Sequence, residues 1–149
     1  MEMKFIIKVD RLSEVLGFVD ELKNVCELSE GLKSSGQYLV DFFGTDVFES
    51  EGAVYGSRWS ELSPGYEQWK TQHYPGRGIL ERTSTLRKSF GFMSTDTYLK
   101  VFNPVVYFRK HQLGEGVPQR MMMKLDKQRI DEIIMIMTDT FIKKISSLT

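Results

Sequence analysis

The sequence predicts an α+β fold in which a small, mostly antiparallel sheet is packed by N-terminal and C-terminal helices. Segments rich in Phe, Ile, Val and Tyr, at residues 3–9 and 97–102, have the composition of short strands. Apolar residues near both ends of the chain recur at spacings of three and four, as they do on one face of a helix. A length of 149 residues, with neither a repeat nor a linker, predicts a single domain spanning residues 1–149.

The N-terminal third is predicted to be a strand followed by one or two core helices. Met3–Val9 is the strand. The first helical pattern has an apolar face formed by Leu12, Val15, Leu16, Val19, Leu22 and Val25. Gly31 is expected to interrupt or end this helix. A second helical pattern follows, and its inner residues are Leu32, Tyr38, Leu39, Phe42 and Phe43.

Two short helices are predicted in the middle of the chain. Ser63-Pro64 is a typical helix start, because serine can cap a helix and proline fits its first position. This helix is expected to run through Trp69 and to stop before Tyr74. The apolar residues within Ile79–Phe90 allow a second short helix.

The last third is predicted to contain a strand, a loop and a long closing helix. Thr97–Phe102 alternates like a strand, whereas periodicity leaves Val105–Phe108 as either a strand or a short helix. Gly114–Pro118 is expected to be a flexible loop, and Met121–Leu125 a short strand or an extended connector. Asp126 can cap the closing helix, whose apolar stripe consists of Ile130, Ile133, Ile134, Met137, Phe141 and Ile145.

The composition excludes several classes of protein. The chain contains no run of about 18 apolar residues, so we expect no membrane span. The apolar run at the N-terminus is too short for the core of a signal peptide. Cys26 is the single cysteine, which excludes an internal disulfide and fits a reducing cytosol.

The net charge is zero, but the two halves of the chain differ in sign. Residues 1–60 carry six Lys and Arg against eleven Asp and Glu, a net charge of −5, whereas residues 61–149 carry fourteen against nine, a net charge of +5. The positive excess is concentrated in residues 70–129. Such asymmetry is compatible with a small nucleic-acid-binding module built on residues 70–129, with head-to-tail contact between copies of the chain, or with an ordinary solvated surface.

The sequence contains no recognisable catalytic or metal-binding set. His73 and His111 are the only histidines, and no spacing of His, Cys, Asp and Glu resembles that of a metal site. Gly76-Arg77-Gly78 lacks the Gly-Lys-Ser/Thr ending of a phosphate-binding loop. We therefore expect a protein that is not an enzyme and needs no cofactor.

Trp59 and Trp69 lie in a stretch rich in aromatic residues, glycine, proline and basic residues. Trp, Tyr and Arg dominate the energetics of protein–protein interfaces. Each tryptophan could equally be a core residue. The sequence leaves both interpretations open.

Four ordered segments between residues 55 and 147 form a recognisable pattern. They are Trp59-x-x-Leu62-Ser63-Pro64-x-Tyr66-x-x-x-Lys70, Ile79-Leu80-x-x-Thr83-x-x-Leu86-x-x-Ser89, Tyr107-x-x-x-His111-Gln112-x-Gly114 and Val117-Pro118-x-Arg120. Their order and spacing resemble those of the phage virion morphogenesis, or tail completion, family. The chain departs from the family at Ser84, Phe108, Gln119 and Met121-Met122. The family usually has glycine at the position of Ser84, and serine there predicts a regular helical backbone in place of a special turn.

The resemblance implies a structural protein of a tailed bacteriophage. It would act at the neck or head–tail junction as a tail completion, tail terminator or head–tail joining subunit. Neck proteins of this kind form closed rings around the DNA channel, often of six subunits, beside other neck, connector and tail tube proteins. The ring expected here is a hexamer, with a dodecamer as the alternative. The expected location is the neck or tail region of the virion, and the host cytoplasm during assembly.

The resemblance also suggests which residues make contacts. The residues predicted to meet another subunit or partner are Trp59, Tyr66, Trp69, Tyr107, His111, Gln112 and Arg120. The residues predicted to supply positive charge to the DNA channel are Arg77, Arg82, Arg87 and Lys88. Such residues would touch phosphates without reading base sequence.

Overall fold

A computed structural model describes the backbone of residues 4–8 together with residues 28–147. The helix predicted over residues 12–25 lies outside the described residues, as does Cys26. The described chain has an α+β fold, as the sequence predicts.

The described part of the chain contains ten secondary-structure elements. They are β1 (Lys4–Lys8), α1 (Ser29–Gly44), α2 (Asp46–Glu49), a 3-10 turn (Ala53–Tyr55), α3 (Pro64–His73), α4 (Thr85–Lys88), β2 (Gly91–Ser94), β3 (Tyr98–Phe102), α5 (Phe108–Leu113) and α6 (Lys127–Ser146). The strands are hydrogen-bonded in the order β1-β3-β2, and β2 and β3 form an antiparallel hairpin. In this part of the chain, no helix is both long enough and apolar enough to cross a membrane.

Contacts between residues divide the chain into two compact units. The first unit contains Val40–Gly91 and Phe102–Lys124. The second contains residues 28–39, Phe92–Val101 and residues 125–147, together with β1. The prediction of one domain spanning residues 1–149 stays a prediction.

The core of the second unit is aliphatic. Its buried side chains are Leu32, Leu39, Leu99, Val101, Ile133 and Met137. Gly36 allows α1 to approach the sheet closely, because a Cβ atom there would lie 2.4 Å from the ring of Phe92 and 2.8 Å from Leu99. The face of α1 that carries Gly36 therefore packs directly on the hairpin.

The closing helix α6 begins where the sequence predicts. The Asp126 carboxylate accepts a hydrogen bond from the Arg129 backbone N–H at 2.9 Å, so the predicted cap is confirmed. The buried strip is narrower than the predicted stripe. Ile133 and Met137 are buried, whereas Ile130 and Ile134 remain exposed, because only residues on the central line of the helix face reach the core of this unit.

The core of the first unit is a connected set of aromatic rings. Phe48 in α2 meets the Trp59 ring edge-on at 5.3 Å and the Phe90 ring at 6.3 Å. Phe90 also contacts Phe43 at 5.8 Å and Phe108 at 6.0 Å. Edge-to-face pairs at these separations are favourable and fix the rings relative to one another. This core positions the loops that carry the four motif segments.

The helix predicted over residues 79–90 is largely absent. Only Thr85–Lys88 is helical, and the strand β2, which the sequence did not predict, begins at Gly91. Leu80 and Ser84 have positive φ angles of 62° and 59°, a backbone conformation that ends a right-handed helix. Helical spacing of apolar residues was therefore misleading here, because the local backbone turns twice.

The prediction that Ser84 has a regular helical backbone is wrong. Its φ of 59° and ψ of 14° lie in the left-handed region, which glycine adopts at little cost. The Ser84 hydroxyl accepts a hydrogen bond of 2.9 Å from the Arg77 guanidinium. Ser84 therefore adopts the left-handed turn that a glycine would permit at this position.

Ser84→Gly is expected to leave the protein about 1 kcal/mol more stable than Ser84→Ala does. Both variants lose the hydroxyl that Arg77 contacts, but only alanine bears the cost of the left-handed backbone. Urea unfolding of the two variants measures the difference directly. A regular helix at this position would reverse the order, because alanine is favoured over glycine in a helix by about 1 kcal/mol.

The two ambiguous segments are resolved by the structure. Val105–Phe108 is not a strand, since it leads through a turn into α5. Met121–Met123 has no strand pairing and forms an extended connector in which both Met122 and Met123 are fully buried. Consecutive buried side chains show that this connector is enclosed on both faces.

Candidate functional site

Trp59 belongs to the core of the first unit. Its side chain is buried, and its indole N–H donates a hydrogen bond of 2.9 Å to the Met121 carbonyl. Gly52 has a φ of 84°, and a Cβ atom there would lie 2.4 Å from the indole ring. The loop is therefore shaped around the tryptophan. Little of the Trp59 side chain remains for the contact with another subunit that the sequence suggested.

Gln112 supports the extended connector. Its side-chain oxygen accepts hydrogen bonds from the backbone N–H groups of Met122 at 2.7 Å and Met123 at 3.0 Å. Its side-chain nitrogen donates to the Met123 carbonyl at 2.7 Å. Buried backbone groups need partners, and here one side chain supplies what a neighbouring strand would supply in a sheet. Gln112 is therefore a buried structural residue.

Arg120 joins the motif segments that begin at Trp59 and at Tyr107. Its guanidinium donates hydrogen bonds of 3.0 and 2.9 Å to the Ser60 carbonyl and one of 3.1 Å to the Glu61 carbonyl. Its backbone N–H donates to the His111 carbonyl at 2.7 Å. Arg120 is only 5% exposed, so its contacts are with residues of its own chain.

Lys70 is the buried residue of α3. Its side chain is 5% exposed, and its ammonium group donates a hydrogen bond to the Gly78 carbonyl. Burial lowers the pKa of Lys70 below its usual value, although the carboxylates of Glu81 and Glu51 act in the opposite direction. A lysine is rarely buried so fully without an ionic partner.

Neither of these two buried cations has an acidic partner. Among residues 28–147, no carboxylate forms an ion pair with Lys70 or Arg120. The nearby carboxylates are engaged elsewhere, since Glu81 pairs with Arg87 and Glu51 pairs with Arg58. The hydrogen-bond acceptors of both cations are thus neutral carbonyl groups, and the carboxylates of Glu81 and Glu51 act on Lys70 from beyond ion-pair distance.

A pocket of about 520 Å³ lies next to Lys70 and Arg120 and is lined by all four motif segments. Its polar and charged lining includes Glu61, Arg82, Thr83, Thr85 and His111 as well as the two buried cations. Its apolar lining comes from Leu62, Leu80, Leu86, Val117 and Pro118, and two tyrosines, Tyr66 and Tyr107, complete it. This volume is within the usual range for small-ligand sites in proteins.

His111 is half-buried in the wall of this pocket. Its Nδ1 atom is buried, and no residue in the described part of the chain hydrogen-bonds to it. Burial lowers the pKa of His111 below its usual value, and the positive charges of Arg120 and Lys110 lower it further. No His, Cys, Asp and Glu side chains among the described residues are grouped so as to hold a metal ion. Burial and the neighbouring positive charges therefore disfavour the imidazolium form of His111.

The outer face of α3 carries a stack of exposed aromatic rings. The Trp69 ring lies 4.5 Å from the His73 ring and 5.7 Å from the Tyr66 ring, in nearly parallel planes. Tyr66 is 40% exposed and Trp69 is 39% exposed. Tyr107 is also exposed, and the edge of its ring faces His111 at 6.4 Å. These side chains, unlike Trp59, retain surface for contact with another molecule.

The four basic residues predicted to face the DNA channel differ in their environment. Arg87 is tied to Glu81 at 2.7 Å, to Glu49 at 3.1 Å and to the Gly44 carbonyl at 2.6 Å. The exposed residues are Arg77, Arg82 and Lys88, and Arg82 lies over the Tyr74 ring at 5.8 Å. Arg87 already has its charge neutralised, so it is the least suited of the four to bind phosphate.

Lys70 is the main site residue that sequence reasoning did not select. The sequence placed it in the first motif segment but offered no reason to expect a buried ammonium group. Its position in α3, one turn after Tyr66, puts both residues beside the same pocket. Lys70 is held in its buried position by the loop at Gly78, which lies outside the motif and whose carbonyl accepts a hydrogen bond from the ammonium group.

Comparison of the chain with protein-family models, with curated proteins and with solved structures found no match.

Proposed function

We propose that this chain is a structural subunit of a tailed bacteriophage, acting at the neck or head–tail junction in a ring around the DNA channel. It would serve there as a tail completion, tail terminator or head–tail joining subunit. The resemblance of the four motif segments is the starting point for this proposal. The arrangement of those segments in the first unit gives it physical support.

The exposed aromatic stack on α3 is the observation that carries the proposal. Tyr66 and Trp69 project from the helix that the buried Lys70 anchors to the Gly78 carbonyl. Large aromatic side chains held in place before binding lose little conformational entropy when they meet a partner. Exposed residues of this type are common at the centre of protein–protein interfaces. The stack is therefore well suited to contact with a neighbouring subunit.

Some motif residues stabilise the chain from within and others are exposed at its surface, and this arrangement fits an assembly protein. Trp59, Gln112 and Arg120 bind the loops of their own subunit together and leave Tyr66, Trp69 and Tyr107 exposed. Interface residues that are supported by such internal hydrogen bonds keep the same geometry in every subunit. Such uniformity is needed when identical contacts must close a ring.

A closed ring requires each subunit to present two different faces. The excess negative charge of residues 1–60 and the excess positive charge of residues 61–149 would favour a head-to-tail contact between opposite charges. In such a ring the exposed Arg77, Arg82 and Lys88 could supply positive charge to the channel. Contact with packaged DNA would then be electrostatic and independent of base sequence.

Trp69→Ala is expected to weaken ring assembly by about thirtyfold or more, which corresponds to the loss of about 2 kcal/mol at an interface hot spot. Gln68→Ala, at the neighbouring exposed position of α3, is the matched control and should assemble normally. Native mass spectrometry and negative-stain imaging measure the assembly, for the chain alone and with the connector and tail tube proteins of the same phage. A wild-type chain that stays monomeric and binds neither partner would reject the proposal.

A further inference from the structure

The pocket of the first unit is lined by two buried positive charges and by an apolar wall. Lys70 and Arg120 are each 5% exposed, and both line the pocket. Lys70 hydrogen-bonds to the Gly78 carbonyl and Arg120 to the Ser60 and Glu61 carbonyls. These carbonyl groups are neutral, so they solvate the two cations without balancing their charge.

Basic side chains outnumber acidic ones in the lining of the pocket, and the carboxylates that act on Lys70, those of Glu81 and Glu51, are not themselves part of that lining. Arg82 adds a third basic side chain to the lining, and Glu61 is the only acidic one among the residues that the structure describes. Glu61 is exposed and forms no ion pair with the buried cations. The pocket thus carries a net positive charge when it is empty.

Buried charges that lack a counter-ion are costly, because protein atoms solvate them less well than water does. An anion that entered the pocket would accept charge-assisted hydrogen bonds, which are about twice as strong as neutral ones. Lys70 and Arg120 would both gain from a single negatively charged ligand.

The rest of the lining limits which anion fits. Leu62, Leu80, Leu86 and Pro118 give the pocket an apolar side, and a small inorganic anion would leave this side in contact with water. A volume of about 520 Å³ also exceeds what an inorganic anion fills. The complementary ligand has a charged end and an apolar body.

We propose that this pocket binds a carboxylate carried on an apolar or aromatic body, with the carboxylate at Lys70 and Arg120 and the body against the leucines. Two sources present this chemistry: a small organic acid, and the carboxylate-ended residue of a peptide. The binding site does not depend on ring assembly. A chain that fails to assemble could still bind such a ligand, so the two proposals are tested separately.

Isothermal titration calorimetry with phenylpropanoate and with phenylpropanamide tests the proposal on the intact chain. The acid is expected to bind at least about tenfold more tightly than the amide, since only the acid carries a negative charge that can balance those of Lys70 and Arg120. Equal affinities would overturn the proposal, as would equally tight binding of inorganic phosphate, because the apolar body would then contribute nothing. Acetyl-Gly-Phe and its C-terminal amide form the peptide arm, and the tighter of the two acids identifies the source.

Substitutions in the pocket lining test whether the ligand binds in this pocket. Lys70→Met keeps most of the side-chain volume, removes one buried charge and should weaken binding of the acid about tenfold or more. Arg82→Met removes an exposed charge from the lining, so it tests the site even if Lys70→Met does not fold. Lys88→Met, an exposed lysine outside the lining, is the control and should bind the acid as the wild type does. Unchanged affinity in a folded Lys70→Met and in Arg82→Met would exclude this pocket.

Discussion

Gln112→Leu is expected to lower the free energy of unfolding by about 3 to 5 kcal/mol, one of the two largest effects in the chain. Leucine is close to glutamine in size, so the core loses little packing. What it loses is the set of three hydrogen bonds to Met122 and Met123, made at 2.7, 3.0 and 2.7 Å. Each buried backbone group left without a partner costs about 1 to 3 kcal/mol.

Urea unfolding at unchanged slope measures this loss. Gln68→Leu, on the exposed face of α3, makes the same chemical change without a buried partner and should alter stability by less than about 0.5 kcal/mol. A loss below about 1 kcal/mol for Gln112→Leu would mean that water takes over the role of the side chain. The connector would then be held by its two buried methionines.

The helices α3 and α6 were predictable because each has a recognisable start, and α6 also has a periodic apolar face. Asp126 caps α6 through the Arg129 N–H, and Pro64 occupies the first position of α3. These signals are local, since they depend on residues within one turn of the helix end. The strand Tyr98–Phe102 was also predicted, because its alternation matches a half-buried strand.

The segment from Ile79 to Phe90 could not be predicted, because distant contacts determine its shape. The Arg87 guanidinium donates to the Gly44 carbonyl at 2.6 Å, and the Asn103 side chain donates to the Leu86 carbonyl at 2.9 Å. These contacts hold a backbone that turns through positive φ at Leu80 and Ser84. A single sequence contains no trace of such long-range bonds, whereas its apolar spacing still resembles a helix.

The candidate site was likewise predicted only in part. The resemblance to the tail completion family suggested that Trp59, Gln112 and Arg120 contact other subunits. Each of these side chains binds backbone groups of its own unit. A polar group that satisfies buried carbonyl or N–H groups has the same residue type as one that binds a partner. Only the fold can separate the two roles.

The same reasoning explains why the pocket was not foreseen. Its two buried cations, Lys70 and Arg120, are fifty residues apart in the chain and meet because loops at Ser60 and Gly78 supply the carbonyls that hold them. The sequence indicates a positive excess in residues 70–129 but not which charges are buried. Burial converts two ordinary surface charges into a site that favours an anion.

Trp59→Ala is expected to lower the free energy of unfolding by about 3 to 5 kcal/mol, the other large effect. The indole fills the space beside Phe48 and Gly52, and its N–H is the partner of the Met121 carbonyl. Trp59→Phe should cost less, since the phenyl ring keeps much of the packing and loses mainly the hydrogen bond. Urea unfolding of both variants separates the packing contribution from the hydrogen bond.

Trp69→Ala is the matched comparison, because it removes the same side chain from an exposed position. Its free energy of unfolding should stay within about 0.5 kcal/mol of the wild type, since the ring is exposed and its ring contacts are with Tyr66 and His73 of α3 and with Tyr74 directly after it. If both tryptophans proved equally important for stability, Trp69 would be a core residue and the aromatic stack would lose its claim to be an interface. If stability depends on Trp59 alone while assembly depends on Trp69, one tryptophan holds the subunit together and the other joins it to its neighbour.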